Sequence, residues 1–405
     1  MSSAQATVRR EGSDSPAVTG TQKRKLPSLT GMRFLCAAMV FAMHSSLLAF
    51  FTSKGTTTTW TSIAYQGGYT GVVYFFILSG FVLTWSARAG DRLGAFWRRR
   101  FFKIYPAYLV ALIAGMVLTT FVQGKVFNRK WAVLDVLLLQ SWSSDGNARW
   151  SYNPPLWSLS AEALFYLAFP LLLLLINKVR PERLWAWTIG VIVAIVAVPT
   201  LLPLLPPGDA MPGFDLTTTE AWVANQLPVT RLLDFVLGIF MARIVLTRRR
   251  LPVGLGGAVA LGVIGYWLAG YVPERFAVTA IMAVPLALVI AAAAVQDSDG
   301  RPSWVSGRVA VWLGEISYCF YLVHYLVLSS ARFWLGERTL GNLAGFATLA
   351  GLFLVSVVAA ALLHHLVEQP MMKHFSRSRR SKAEAAEAAA APAEPDLPDK
   401  IRQAA

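Results

Sequence analysis

Trp131-Ala132-Val133-Leu134-Asp135-Val136-Leu137-Leu138-Leu139-Gln140-Ser141-Trp142 is the stretch on which the architecture turns. It is apolar, but about 12 residues of helix cover only about 18 Å, against about 30 Å of bilayer hydrocarbon. Elsewhere the uncharged runs are longer. Those near 184–205, 252–271 and 276–295 approach or exceed the roughly 20 apolar residues that cross a bilayer. The whole chain agrees: of 405 residues, 55% are hydrophobic and 15% charged, where a soluble globular chain carries about 25% charged residues. Spans are expected at about 28–51, 68–87, 103–122, 156–177, 184–206, 228–247, 252–271, 275–296, 309–330 and 342–366.

Charge decides whether 131–142 is one more. Lys and Arg collect on the cytoplasmic side, and the N-terminal tail holds Arg9, Arg10, Lys23, Arg24 and Lys25. With that tail inside, the second span returns to Arg88, Arg92, Arg98, Arg99, Arg100 and Lys103, again inside. If 131–142 crossed, Lys178, Arg180, Arg183, Arg248, Arg249 and Arg250 would face outward. If it is re-entrant or interfacial, all become cytoplasmic, together with the basic run at 377–382. The expected fold is therefore an all-α integral membrane protein. It is a bundle of about ten transmembrane helices with one short re-entrant or interfacial helix and both ends inside.

The polar tails, 1–26 and 376–405, are expected to be disordered and cytoplasmic, flanking one transmembrane domain at 27–375. The first has no apolar core, so no cleaved signal peptide is expected. A net charge of +15 would suggest nucleic acid in a soluble protein; here it follows from the loops and tails, and no nucleic-acid partner is expected. Cys36 and Cys319 both lie in apolar runs, which implies neither a disulfide framework nor a zinc site.

Ionisable groups inside spans are costly and hence functional candidates. Arg33 and His44 are eleven residues apart, three helical turns, so they share one face about 16 Å apart. An Arg near the cytoplasmic mouth suits a phosphate-bearing ligand. A His deeper on that face suits proton transfer. Counting along their spans puts Glu162 and His324 at about the depth of His44, where either could orient the ring. Arg231 and Asp234 read as a structural pair. Glu315 has no evident partner. His364, His365, Glu368 and His374 cluster near the last span's end, where His also favours the helix dipole, so no metal is expected. The stretch 96–106, with Arg98, Arg99, Arg100 and Lys103, reads as an anchor to anionic lipid, a docking site for a nucleotide-like phosphate, or both. No Walker loop or dinucleotide fingerprint is present.

These residues fall into motifs. Leu29-Thr30-Gly31-Met32-Arg33-Phe34-Leu35 precedes His44 at an Arg-(ten residues)-His spacing. Phe75-Phe76-Ile77-Leu78-Ser79-Gly80-Phe81, Arg100 with Lys103, Trp157-Ser158-Leu159-Ser160-Ala161-Glu162, Ser317-Tyr318-Cys319-Phe320-Tyr321-Leu322-Val323-His324 and Leu366-Val367-Glu368-Gln369-Pro370 follow in order. The chain resembles the acyltransferase family 3 membrane proteins, bacterial O-acyltransferases that modify sugars on glycans, lipids and secondary metabolites. Lys103 stands where that family commonly has a second Arg. The likeness covers nearly all of 27–375.

The resemblance implies a stand-alone enzyme of the bacterial cytoplasmic membrane that uses a cytoplasmic acyl-CoA, acetyl-CoA or longer. It implies Arg33, Arg99, Arg100 and Lys103 near the donor phosphates, Ser79, Trp157 and Tyr318 on the substrates, His44 as catalytic base, and Glu162 as an essential carboxylate. Acyl transfer to a hydroxyl of a sugar-bearing acceptor (a glycan, glycolipid or macrolide-type metabolite) is the expected reaction, with Glu162 or His324 orienting His44. A secondary transporter or flippase would also bury Arg, His and Glu in a bundle. Transporters often carry paired broken helices in two halves, and no internal repeat is seen here.

Overall fold

The computed structural model describes residues 25–375, except 88–89, 207, 212–214 and 302. The tails before and after, with the basic run at 377–382 and Arg88, lie outside the described residues. Among the described residues the chain is helical, with only two isolated β-bridges. The principal helices are α1 (Pro27–Leu47), α2 (Lys54–Ser86), α3 (Leu93–Val117), α4 (Arg129–Val136), α5 (Trp157–Asn177) and α6 (Leu184–Leu201). They continue with α7 (Pro228–Leu246), α8 (Leu255–Leu268), α9 (Ala283–Ser298), α10 (Arg308–Leu335) and α11 (Asn342–Leu363). Wide π turns extend α3 through Leu118–Val122 and α11 through His364–Glu368 into Gln369–Phe375.

Six of these segments are long and apolar enough to cross a membrane: Lys54–Ser86, Leu93–Val122, Pro154–Asn177, Pro181–Leu204, Arg308–Leu335 and Asn342–Phe375. The protein is a multi-pass membrane protein. The remaining four expected spans are helices too, but of a different kind. Helices α8 and α9 are apolar with only 14 and 16 residues, α7 carries Arg231, Asp234 and Arg243, and α1 carries Arg33 and His44.

The stretch 131–142 is not one of the six. Helix α4 has 8 residues, and the chain reverses at Leu138, whose φ of 57° is rarely adopted by a branched residue. Its exposed carbonyls are met by side chains of the neighbours. Tyr108 Oη donates to Asp135 O (2.7 Å), Tyr105 Oη to Val136 O (3.0 Å), Ser160 Oγ to Leu138 O (2.6 Å) and Trp222 Nε1 to Ser141 O (2.9 Å). Irregular backbone inside a bundle survives only when its polar groups are satisfied this way. The returning chain, from Gln140 to Leu156, occupies one end of the bundle, so α5 starts well inside it.

Helices α1, α2, α7 and α10 form the centre, and glycines set their spacing. A Cβ on Gly80 would lie 2.0 Å from Phe235 O, and one on Gly238 would lie 1.9 Å from Ile77 O. The α2–α7 crossing is thus reciprocal: each helix puts a glycine against the other's backbone, the close approach that small residues permit in membranes. Gly314 on α10 does the same against Thr30 O of α1 (1.9 Å). The start of α1 has no cap of its own. The Asp297 carboxylate, at the end of α9, accepts from Ser28 N (2.9 Å) and Ser28 Oγ (2.6 Å) instead.

Candidate active site

One cavity, about 910 Å³ including its open mouth, lies between α1, α2, α3, α5 and α10. Arg33, Arg100 and Lys103 line it with Glu162, and so do Ser79 and Tyr318. Six residues singled out from the sequence, from five helices, therefore meet in one place. Three cations against one carboxylate leave an excess of two positive charges. Arg100 Nε is buried with no partner, an unmet donor that suits an anionic ligand. Arg100 and Lys103 share a helix face at i and i+3. Arg99, one residue earlier and about 100° round the helix, instead pairs with Asp91 near the surface. Arg99, expected near the donor phosphates, is not among the residues that line the cavity. Trp157 lies outside the cavity lining too, its ring edge-on to Phe76.

Glu162 accepts a hydrogen bond from Tyr166 Oη. The sequence count put it at the depth of His44; the structure puts it beside Arg33. The count assumed that α5 begins at the membrane face, whereas its start packs against the middle of α10, Asn153 Nδ2 donating to Leu322 O and Ser158 meeting Tyr321. The partner of His44 is His324, not Glu162.

The two imidazoles are 3.1 Å apart, His324 Nε2 to His44 Nδ1. His324 is fully buried, and its Nδ1 faces the carbonyls of Tyr321 (2.8 Å) and Phe320 (3.2 Å). A ring nitrogen against two carbonyls must carry its proton, so neutral His324 offers a lone pair at Nε2. His44 Nδ1 faces that lone pair and Val40 O (3.0 Å); it too must be N–H. The unprotonated atom of His44 is then Nε2, a base site. His44 is part-exposed but does not line the cavity. Between the two stands Tyr321: it lines the cavity, its carbonyl fixes His324, and it lies one helical turn short of that ring.

Other candidates resolve as follows. Arg231 Nη1 and Asp234 Oδ2 form a buried pair at 3.2 Å, the expected structural role. Glu315 is exposed. Cys319, expected to hold no special role, joins His364 and Glu368; their ligand-type atoms lie within 4.8 Å of one another. Glu368 Oε2 takes hydrogen bonds from His364 Nδ1 (2.7 Å) and Cys319 Sγ (3.2 Å), and Gln369 Nε2 meets His364 Nε2 at 3.1 Å. That trio could hold a cation, but each of these polar atoms already has a protein partner. His365 and His374 are exposed and outside it. Tyr166, Ser158 and Tyr321 were not singled out from the sequence as site residues. The i, i+4 spacing of Glu162 and Tyr166 was the one available signal.

The family model described as an acyltransferase domain matches residues 26–365. The chain belongs to acyltransferase family 3. It is an enzyme that transfers acyl groups. It is 39% identical to acyltransferase MdmB of Streptomyces mycarofaciens, over 88% of this chain and 94% of that one. It is 23% identical to the peptidoglycan O-acetyltransferase OatA of Listeria monocytogenes, over 77% of this chain and 50% of that one. It is also 24% identical to the putative peptidoglycan O-acetyltransferase YrhL of Bacillus subtilis, over 88% and 56%. The chain thus spans about half the length of these two relatives and nearly all of MdmB. No solved structure matches it.

Proposed function

We propose that this acyltransferase moves an acyl group from acyl-CoA to a hydroxyl of a sugar-bearing acceptor, a glycan, glycolipid or macrolide-type metabolite, with His44 as general base. One observation carries the reading: the cationic cavity ends a single helical turn from the His44–His324 pair. The excess positive charge and the unmet Arg100 donor suit the donor's phosphates. The Arg33-to-His44 rise of about 16 Å suits an extended pantetheine arm laid along α1. The thioester then stands near Tyr321, and the acceptor hydroxyl reaches His44 Nε2. As the hydroxyl attacks, Nε2 takes its proton, help worth typically 10²–10⁴-fold. The imidazolium keeps its Nδ1–H on His324 Nε2, so His324 plays the orienting part that a carboxylate plays in a catalytic triad. Glu162 spaces and orients the cations at the donor end.

The same reading seats the enzyme in the bacterial cytoplasmic membrane, with ten spans and both ends inside. The test is chemical. Glycolipids, polysaccharide and secondary metabolites extracted with and without the gene are compared by intact mass, and the purified protein is titrated with acetyl-CoA and longer acyl-CoAs. An acyl mass gain on a sugar-bearing species, with micromolar-range donor binding, is expected. No gain in any fraction and no donor binding would overturn the proposal.

A further inference from the structure

We infer that Ser158 supplies the hydrogen bond that stabilises the oxyanion of the transfer, and that Tyr321 positions it. This deepens the acyl-CoA reading of the cavity and rests on it. As a thioester carbonyl is attacked, its oxygen gains a full negative charge, and a preorganised donor at that spot is typically the largest electrostatic contribution. The cations are at the wrong depth to serve. Helices α1 and α10 run side by side in the register that sets His44 against His324. Tyr321 is therefore level with Phe41, eight residues or about 12 Å beyond Arg33.

At that depth the cavity wall carries two hydroxyls, those of Ser158 and Tyr321. They are 2.8 Å apart. Tyr321 Oη lies 2.9 Å from Pro155 O and Ser158 Oγ 3.1 Å from the same carbonyl. With the Tyr321 proton committed to Pro155 O, the Ser158 proton has two local acceptors and needs neither. It can rotate onto a ligand oxygen while Tyr321 and Pro155 O stay paired, so no buried donor is orphaned. The Tyr321 ring, held edge-on by Phe75 (6.0 Å), keeps Ser158 at the cavity end nearest the base.

The step balances. The acceptor oxygen bonds to the thioester carbon, and its proton passes to His44 Nε2. The carbonyl π pair moves onto oxygen, which accepts from Ser158 Oγ–H. On collapse the carbon–sulfur bond breaks, and CoA leaves as the thiol with the proton from His44. Ser158 and His44 end as they began.

The test uses full-length protein in nanodiscs with acetyl-CoA, reading the slow release of CoA thiol, in which water stands for the acceptor. Ser158→Ala is expected to lower kcat about 10²-fold, with KM for acetyl-CoA and the Kd of CoA within about twofold of wild type. Ser158→Thr should recover much of the rate, and Tyr321→Phe should lose about tenfold. A Ser158→Ala rate within about threefold of wild type, or a loss carried by KM, would overturn the assignment and leave the acyl-CoA reading standing. Wild-type protein that neither binds CoA nor releases thiol above the His44→Ala background would remove the acyl-CoA reading itself, and this inference with it.

Discussion

The Nε2 lone pair of His44, the proposed base, is set by the two groups that hold Nδ1, His324 Nε2 and Val40 O, and variants of the two histidines should separate. His44→Ala is expected to lower kcat by 10²–10⁴-fold. His324→Ala leaves the base in place but frees its tautomer, so kcat should fall by roughly 10-fold or more with the donor Kd unchanged. Steady-state rates and CoA titrations read both; equal, full activity in either variant would remove the pair from the mechanism. The donor end makes a sharper contrast. Arg33→Ala and Lys103→Ala should raise the KM for acyl-CoA about tenfold or more, as loss of a charge-assisted contact does. Arg99→Ala, whose partner is Asp91, should stay within about twofold.

Glycine spacing gives the helices their own test. Gly238→Ala forces a Cβ to 1.9 Å from Ile77 O and is expected to cost roughly 3 kcal/mol or more, read as a lower Tm in detergent. Gly190→Ala in α6, with nothing within 4 Å of its Cβ, should show no loss. The turn after α4 adds a pH signature. Asp135 is buried, and burial pushes its carboxyl up to about 7, although Ser151 Oγ donates to it and pulls the other way. The folded protein therefore holds a proton that the unfolded chain releases near pH 4. Stability should fall as pH rises from about 4 to about 7 and level off above; Asp135→Asn should flatten that slope. Much of this layout was legible beforehand. The length of 131–142 predicted a helix too short to count among the spans, and α4 has 8 residues; helical periodicity put Arg33 and His44 on one face. The depth of Glu162 was misjudged for one reason. A count along one helix fixes depth only if both ends are known, and α5 begins where a different segment, Gln140 to Leu156, lets it begin. Ser158 and Tyr321 were illegible for another reason: hydroxyls are common, and only the crossing of α5 with α10 pairs these two.

The proposed topology has its own test at the short turn. With 129–156 returning to the face it left, a cysteine at Thr58 should react with an impermeant maleimide in intact cells, and one at Lys178 only after lysis. The reverse pattern at Lys178 would mean that 129–156 crosses. Two of the expected crossings carry a further consequence. Helices α8 and α9, with 14 and 16 residues, reach only about 21 and 24 Å, short of the roughly 30 Å hydrocarbon of an average bilayer. As spans, they would require the lipid around that flank to thin, at a cost that grows with every ångström of mismatch. Helix α9 also carries Asp297 in its last turn, which caps the start of α1, and α1 carries both Arg33 and His44. A thinned bilayer there would act, through Asp297, on the helix that carries the proposed base. Turnover in vesicles of defined acyl length should peak in thin bilayers and fall as the chains lengthen.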